Sequence, residues 1–173
     1  MNWKLSHRAD PIAVAIADRH YNRQKIGTPQ FVPPGRCFVL THREGTALWV
    51  TSWPFAEWVK HAWPGAWVNS CFRRESGPVA SDMIREALQA TLWYWPESPS
   101  IMCPYCRIPV ALVTFIDTEK THHKRDPGRC YIRAGFTRCV GLTKGGLVVV
   151  HIAPSDLPES DEPIGAERVL AFQ

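Results

Sequence analysis

Polar and apolar positions fall along this chain in short blocks, each with its own period. Trp3 to Ser6 alternates and predicts a short strand. Asp10-Pro11 then offers an N-cap with proline at the first helical position. Ile12, Ala13, Ile16, Ala17, His20 and Tyr21 recur at helical spacing, predicting a helix to about Asn22. A proline-rich loop, 27–35, precedes strands at 36–41, 47–52 and 66–72, the last two parted by an aromatic insertion, Trp53 to Pro64. Ser81 stands where it would cap a long helix with Met83, Ile84, Ala87, Leu88, Leu92 and Trp95 inward, ended by Pro96. Val110 to Asp117 is almost uninterrupted by polar residues, as in a central strand covered on both faces. Asp126-Pro127 opens a short helix that Gly135 stops, and a hairpin follows, 138–142 and 147–152, turned at Lys144-Gly-Gly. The predicted order is β-α-β-β-β-α-β-α-β-β: an α/β (α+β) domain over 1–153 with a mixed central sheet flanked by helices, then an acidic, proline-containing tail, 154–173.

With 173 residues and 45% hydrophobic content, the chain fills one core and is too short for two ordinary domains. A net charge of +4 permits an anionic partner without requiring one. No run approaches the roughly 18 apolar residues of a membrane span, and the N-terminus lacks a secretory pattern, so a cytoplasmic location is expected. Six cysteines are then expected as thiols. Cys103-Pro-Tyr-Cys106 has zinc-ligand spacing, and Cys130 with Cys139, or His122 with His123, would complete a site. The alternative is isolated loop thiols.

Strand, basic loop, short helix with one tyrosine, Gly-Phe and a further strand follow one another through Tyr131-Ile-Arg-Ala-Gly135-Phe136. This order resembles the closing part of the GNAT superfamily of acyl-CoA-dependent N-acyltransferases, which implies a single GNAT-like domain. That superfamily binds pyrophosphate through an Arg/Gln-x-x-Gly-x-Gly/Ala loop at the start of its long helix. Arg74 and Gly77 match as cofactor-binding positions. Pro78 and Val79 depart from the pattern, one removing an N–H and the other adding bulk, so acetyl-CoA is a doubtful donor.

His20-Tyr21 at the end of the first helix, Asp117 at a strand end, the basic loop and Tyr131 narrow the resemblance. Together they are similar to the Mom family of phage-type DNA modification proteins and their bacterial relatives, divergent GNAT-like proteins that convert adenine in DNA to N6-carbamoylmethyladenine. The resemblance implies catalytic roles for His20, Tyr21, Asp117 and Tyr131, with Ser70 as the matching serine, and iron is associated with the family; His20 would act as a base or, as a neutral imidazole, ligate a metal together with Asp117. The chemistry suits these residue types. Adenine N6 is a poor nucleophile and must be oriented and relieved of a proton, work for a carboxylate or an imidazole. Tyr131 would protonate a leaving group or hold the donor, and Tyr21 would stack on a base turned out of the duplex. Each has a plainer alternative: His20 and the tyrosines as core residues, Asp117 as a loop cap.

Positive charge gathers at Lys120, Lys124, Arg125, Arg129 and Arg133, with Arg19, Arg23 and Lys25 at the helix end. The expected partner is double-stranded DNA, bound with a steep salt dependence. Trp53, Trp58, Trp63 and Trp67 are stacking or wedge candidates, or else core. Two other function classes stay open: an acyl-CoA-dependent N-acyltransferase acting on a protein or small amine, and a non-catalytic basic DNA-binding module. Oligomeric state is left open, a homodimer included.

Overall fold

The computed structural model describes residues 1–166. Strand β1 (Trp3–Ser6) leads into helix α1 (Pro11–Asp18). Three antiparallel strands follow: β2 (Arg36–His42), β3 (Ala47–Trp53) and β4 (Trp67–Arg74). Helix α2 (Ala80–Tyr94), the small hairpin β5 (Ile101–Met102) and β6 (Pro109–Val110), and β7 (Leu112–Ile116) come next. Helix α3 (Arg129–Arg133), β8 (Thr137–Leu142) and β9 (Val148–Ile152) complete the order. Seven strands form one mixed sheet, β1-β2-β3-β4-β7-β9-β8, antiparallel except where β4 meets β7. The protein is thus mixed α+β, with the sheet covered unevenly by few helices. Among the described residues no helix is long and apolar enough to cross a membrane.

Helices α2 and α3 cover one face. Met83, Ile84, Ala87 and Leu88 of α2 are buried there against Trp49, Trp67 and Leu112, each large side chain contributing about 1.5–3 kcal/mol. The indole N–H of Trp3 donates to the Met83 carbonyl at 2.9 Å, so its burial leaves no donor unpaired. On the opposite face α1 packs Ala13, Ile16 and Ala17 on Val39, Val50 and Cys71. Further along that face, Trp63 from the aromatic insertion and the β5–β6 hairpin cover Val68, Val113 and Val149.

Five local expectations differ from the structure. Helix α1 ends at Asp18 rather than Asn22, because the Asp18 carboxylate turns back to accept from Arg23 Nε at 2.7 Å and the Gly27 N–H at 2.9 Å. Helix α2 starts two residues earlier than expected, and Ser81 lies buried inside its first turn, with no side-chain cap at Val79. The Val110 run is divided. Pro109–Val110 belongs to the hairpin, and Ala111 links it to β7, donating to the Ile152 carbonyl and accepting from Trp67, both at 2.9 Å. Helix α3 is capped by Gly128 at φ 85°, not by Asp126, which faces Arg138 instead. The acidic stretch after Pro154 lies on the domain: Ile164 bridges Lys4 and donates to the Trp3 carbonyl at 2.8 Å. The end of the expected tail, 167–173, lies outside the described residues.

Candidate functional site

Strands β4 and β7 run parallel for only two register pairs, Trp67 with Leu112 and Val68 with Val113. Beyond them the strands part. A bulge in β4 drives the divergence: Val50 faces Cys71 and Thr51 faces Asn69, so Ser70 is the extra residue. The bulge also reverses alternation, which is why Trp67 and Phe72 pack towards α2 while Val68 and Cys71 reach the other face. Into the opening between the strands fits a cavity of about 450 Å³, lined among others by His20, Tyr21, Ser70, Lys124, Arg129 and Tyr131.

Asn69 holds this opening together, a residue that sequence reasoning missed. Its amide donates to the Val50 carbonyl at 2.9 Å and the Cys71 carbonyl at 3.0 Å, bridging the bulge. Its Oδ1 accepts from the Tyr131 hydroxyl at 2.6 Å, and its backbone carbonyl accepts from Thr114 Oγ1 at 2.9 Å. Four elements therefore meet on one buried side chain and its peptide. The signal was present in Trp67-Val-Asn69-Ser70, an amide inside an otherwise buried strand, where only Ser70 drew notice. Ser70 Oγ is buried and has no hydrogen-bond partner in the structure.

Of the five predicted catalytic residues, four line the cavity and Asp117 stands at its edge. His20 and Tyr21 enter from the α1 side with rings 4.4 Å apart. The His20 pKa is lowered to about 4, first by burial and then by the charges of Arg73 and Lys124. Its Nδ1 accepts from the Asn22 N–H at 3.2 Å, so the neutral ring carries its proton on Nε2. Tyr131, buried, is raised well above the ordinary phenol range, chiefly by loss of solvent, and stays protonated. Burial also raises Tyr21, which sits against the Asp117 backbone. The Asp117 carboxylate accepts from the Lys120 N–H at 3.0 Å and lies 3.7 Å from Lys120 Nζ, capping the turn that follows β7. Burial pushes Cys71, beside the site, up to about 12, so it is an inert thiol. Cys130 on the cavity wall is raised for the same reason.

The basic positions divide by what already holds them. Lys124 and Arg129 reach the cavity, while Lys25 and Arg125 are exposed. Arg19 forms a two-pronged pair with Glu75, which Arg73 joins at 3.0 Å, and these partners hold the Glu75 pKa down to about 2. Arg23 has no face left for a phosphate: its side chain is 4% exposed and is held by Asp18 and by the Thr28 and Gln30 carbonyls. Arg74 Nη1 donates to the Gly77 and Pro78 carbonyls, so it holds the loop ahead of α2. Arg74, Gly77, Arg129 and Arg133 line a second hollow of about 350 Å³ at the α2 N-terminus. Of the four tryptophans singled out, Trp63 and Trp67 are fully buried, Trp53 is half-buried, and Trp58 is 72% exposed.

His20 and Asp117 belong to no converging group of metal donors. Among the described residues such a group forms elsewhere: the sulfurs of Cys103, Cys106 and Cys139 and a ring nitrogen of His151 lie within 4.8 Å of one another. These four side chains could hold a metal ion. The residues that join Cys103 and Cys106 are Cys139 and His151; Cys130 lines the cavity, and His122 and His123 lie on an exposed loop. The signal for His151 was a lone histidine inside Val148-Val-Val-His151-Ile. No family model, curated protein or solved structure matches the chain.

Proposed function

We propose that this protein is a GNAT-like DNA modification enzyme that converts adenine in double-stranded DNA to N6-carbamoylmethyladenine, in the manner of the Mom family. The observation that carries the reading is the parting of β4 and β7 at the Ser70 bulge, with His20, Tyr21, Ser70 and Tyr131 converging on the gap from different elements. The sheet order, with its one parallel pair in the middle, supports a GNAT-like domain. In this reading a turned-out adenine enters between the basic residues Lys124 and Arg129 and stacks on Tyr21, which is 36% exposed at the mouth. Ser70 Oγ, free of other partners, holds the amine or the incoming carbonyl. Tyr131 keeps its proton and orients through Asn69. His20, neutral and with Nδ1 engaged, offers an Nε2–H donor to an oxygen of the donor molecule. Asp117 is the carboxylate at the edge of the site, its Oδ2 beside an exposed lysine, and takes the proton lost from N6. The new bond from N6 to the carbamoylmethyl carbon replaces that carbon's bond to the donor's leaving group, which departs with the bonding electron pair.

Iron on His20 and Asp117 does not fit these residues. A metal on Nε2 would shift the ring proton to Nδ1, against the Asn22 N–H, and among the described residues no third donor converges there. No step is assigned to iron.

One observation favours a second reading, an acyl-CoA-dependent N-acyltransferase: the hollow at the α2 N-terminus, flanked by Arg74, Arg129 and Arg133, has the charge for a pyrophosphate. Against it, Pro78 supplies no N–H and Arg74 is committed to its own loop. The deciding experiment is mass spectrometry of nucleosides from plasmid DNA after expression of the protein in bacteria. A deoxyadenosine heavier by a carbamoylmethyl group, absent with Tyr131→Phe or Ser70→Ala, is expected. Unmodified DNA beside soluble protein, with acetyl-CoA raising the melting temperature, would favour the second reading.

A further inference from the structure

The Cys103-Pro-Tyr-Cys106 loop joins β5 to β6 in a tight turn. The Cys103 N–H donates to the Ile108 carbonyl at 2.9 Å, and the Arg107 N–H donates back to the Cys103 carbonyl at 3.1 Å. Arg107 closes the turn at φ 58°, the one non-glycine residue in the left-handed region among the described residues. A side chain rarely adopts this conformation unsupported, so something else must hold the turn. Tyr105, at its tip, lies flat on Gly141 of β8, where a Cβ would come within 2.4 Å of the ring. The turn thereby presents Cys103 and Cys106 to the sheet at the place where β8 and β9 lose their regular pairing, between Arg138 and Leu142. Cys139 sits in that irregular stretch, and His151 faces it from β9.

Cys103 and His151 are fully buried and Cys139 nearly so. Neither ring nitrogen of His151 has a hydrogen-bond partner in the structure. A buried imidazole left so is destabilising, and a metal bond would engage one of its two nitrogens. The sulfurs of Cys103 and Cys139 lie 3.7 Å apart and those of Cys106 and Cys139 3.2 Å apart. Tetrahedral ligands on a zinc–sulfur bond of about 2.3 Å would stand roughly 3.8 Å apart, so small movements complete the geometry. A disulfide would need about 2.05 Å. N–H groups also point at the sulfurs: the indole N–H of Trp63 donates to Cys103 Sγ at 3.3 Å, the Cys106 N–H to the same atom at 3.5 Å, and the Gly141 N–H to Cys139 Sγ at 3.4 Å. Donors of this kind orient and stabilise metal-bound sulfur.

We propose that Cys103, Cys106, Cys139 and His151 form a closed, structural zinc site that pins the β5–β6 hairpin to the edge of the main sheet. Three thiolates and one imidazole leave no coordination position open, and the site lies on the sheet face opposite α2, so its role is to hold rather than to react. The ion takes over where β8 and β9 lack ladder hydrogen bonds. It thereby steadies β9, whose other partner β7 forms one wall of the cavity.

The test is metal analysis by mass spectrometry on the full chain, purified without chelator from cells given no added metal. About one zinc per chain is expected, kept by Cys37→Ser and Cys130→Ser and lost from Cys106→Ser and His151→Ala. Should those variants not fold, the wild-type protein decides: a mercurial reagent should release the zinc into a colorimetric indicator, and a chelator should lower the melting temperature. Three results would each overturn the proposal. One is folded protein with less than about a tenth of a zinc per chain and a melting temperature indifferent to added zinc. Another is one iron per chain in its place. The third is an intact mass lighter by two hydrogens, which would mean a disulfide.

Discussion

A single amide, Asn69, fixes the geometry on which the proposed chemistry depends. Its side chain makes three hydrogen bonds inside the core, to Val50, Cys71 and Tyr131. Asn69→Ala should destabilise the fold by about 2–4 kcal/mol in urea denaturation, because buried carbonyls and a phenol lose their partners together. Tyr131→Phe removes one of these bonds and should cost about 1 kcal/mol, with Asn69 and Tyr131 strongly coupled in a double-mutant cycle. If the two substitutions simply add, the hydrogen bond from Tyr131 to Asn69 does not tie α3 to the bulge. His20 offers a second check. The unfolded chain takes up its proton near the ordinary 6.5 and the folded chain near 4. Between those values the unfolded state therefore binds more protons, so stability falls as pH drops through this window and levels off below it. Imidazole nitrogen shifts measured by NMR should show His20 neutral from about pH 5.5 to 8. A midpoint near 6.5 would mean that the ring is solvated rather than buried, and that Arg73 and Lys124 do not press on it.

Elements were more legible than their ends. The main strands and the two longer helices stand where the period puts them, since each buries one apolar face and that face sets the pattern; of the expected caps, Asp10 caps α1 and Ser81 does not cap α2. What the pattern hides is a competitor acting through space. Asp18 stops α1 by bonding residues of the next loop, and the Val110 run is shared by two sheets because burial on both faces erases the difference between hairpin and central strand. The bulge at Ser70 shows in the sequence only as an amide, Asn69, inside a buried strand; His20, Tyr21, Ser70 and Tyr131 were legible, but not the parting of β4 and β7 that gathers them. The metal cluster was half legible: Cys103 and Cys106 carry their spacing in sequence, whereas Cys139 and His151 are brought in by pairing between β8 and β9. Gly128 shows how tightly one element is placed. It stands at φ +85°, and a Cβ there would come within 2.3 Å of Ile116 Cδ1. Gly128→Ala should cost about 1–2 kcal/mol in backbone strain, and more if Ile116 cannot turn aside. Because α3 carries Tyr131, the variant should also lose modification activity beyond its loss of stability. Full activity in folded Gly128→Ala would show that α3 need not be held so closely.

At the scale of the whole molecule, the structure separates positive charge that is spent from charge that is free. Arg19, Arg23 and Arg74 are held by Glu75, by Asp18 and by their own loop, while Lys124, Arg125 and Arg129 stand at or beside the cavity mouth. A duplex presenting adenine to this opening would lay its phosphates across the second group. Each phosphate neutralised releases counterions, and the logarithm of affinity falls with the logarithm of salt by about 0.9 per contact. Replacing Lys124, Arg125 and Arg129 by alanine should therefore weaken duplex binding and flatten that slope by about 2.7. Arg23→Ala is the matched control: its guanidinium closes the 18–30 segment, so the variant should be less stable to urea and keep the wild-type slope. Titrations at several salt concentrations, by fluorescence anisotropy of a labelled duplex, separate the two effects. If the triple variant keeps the full slope, the phosphates lie elsewhere, and DNA does not approach the cavity from the α3 side.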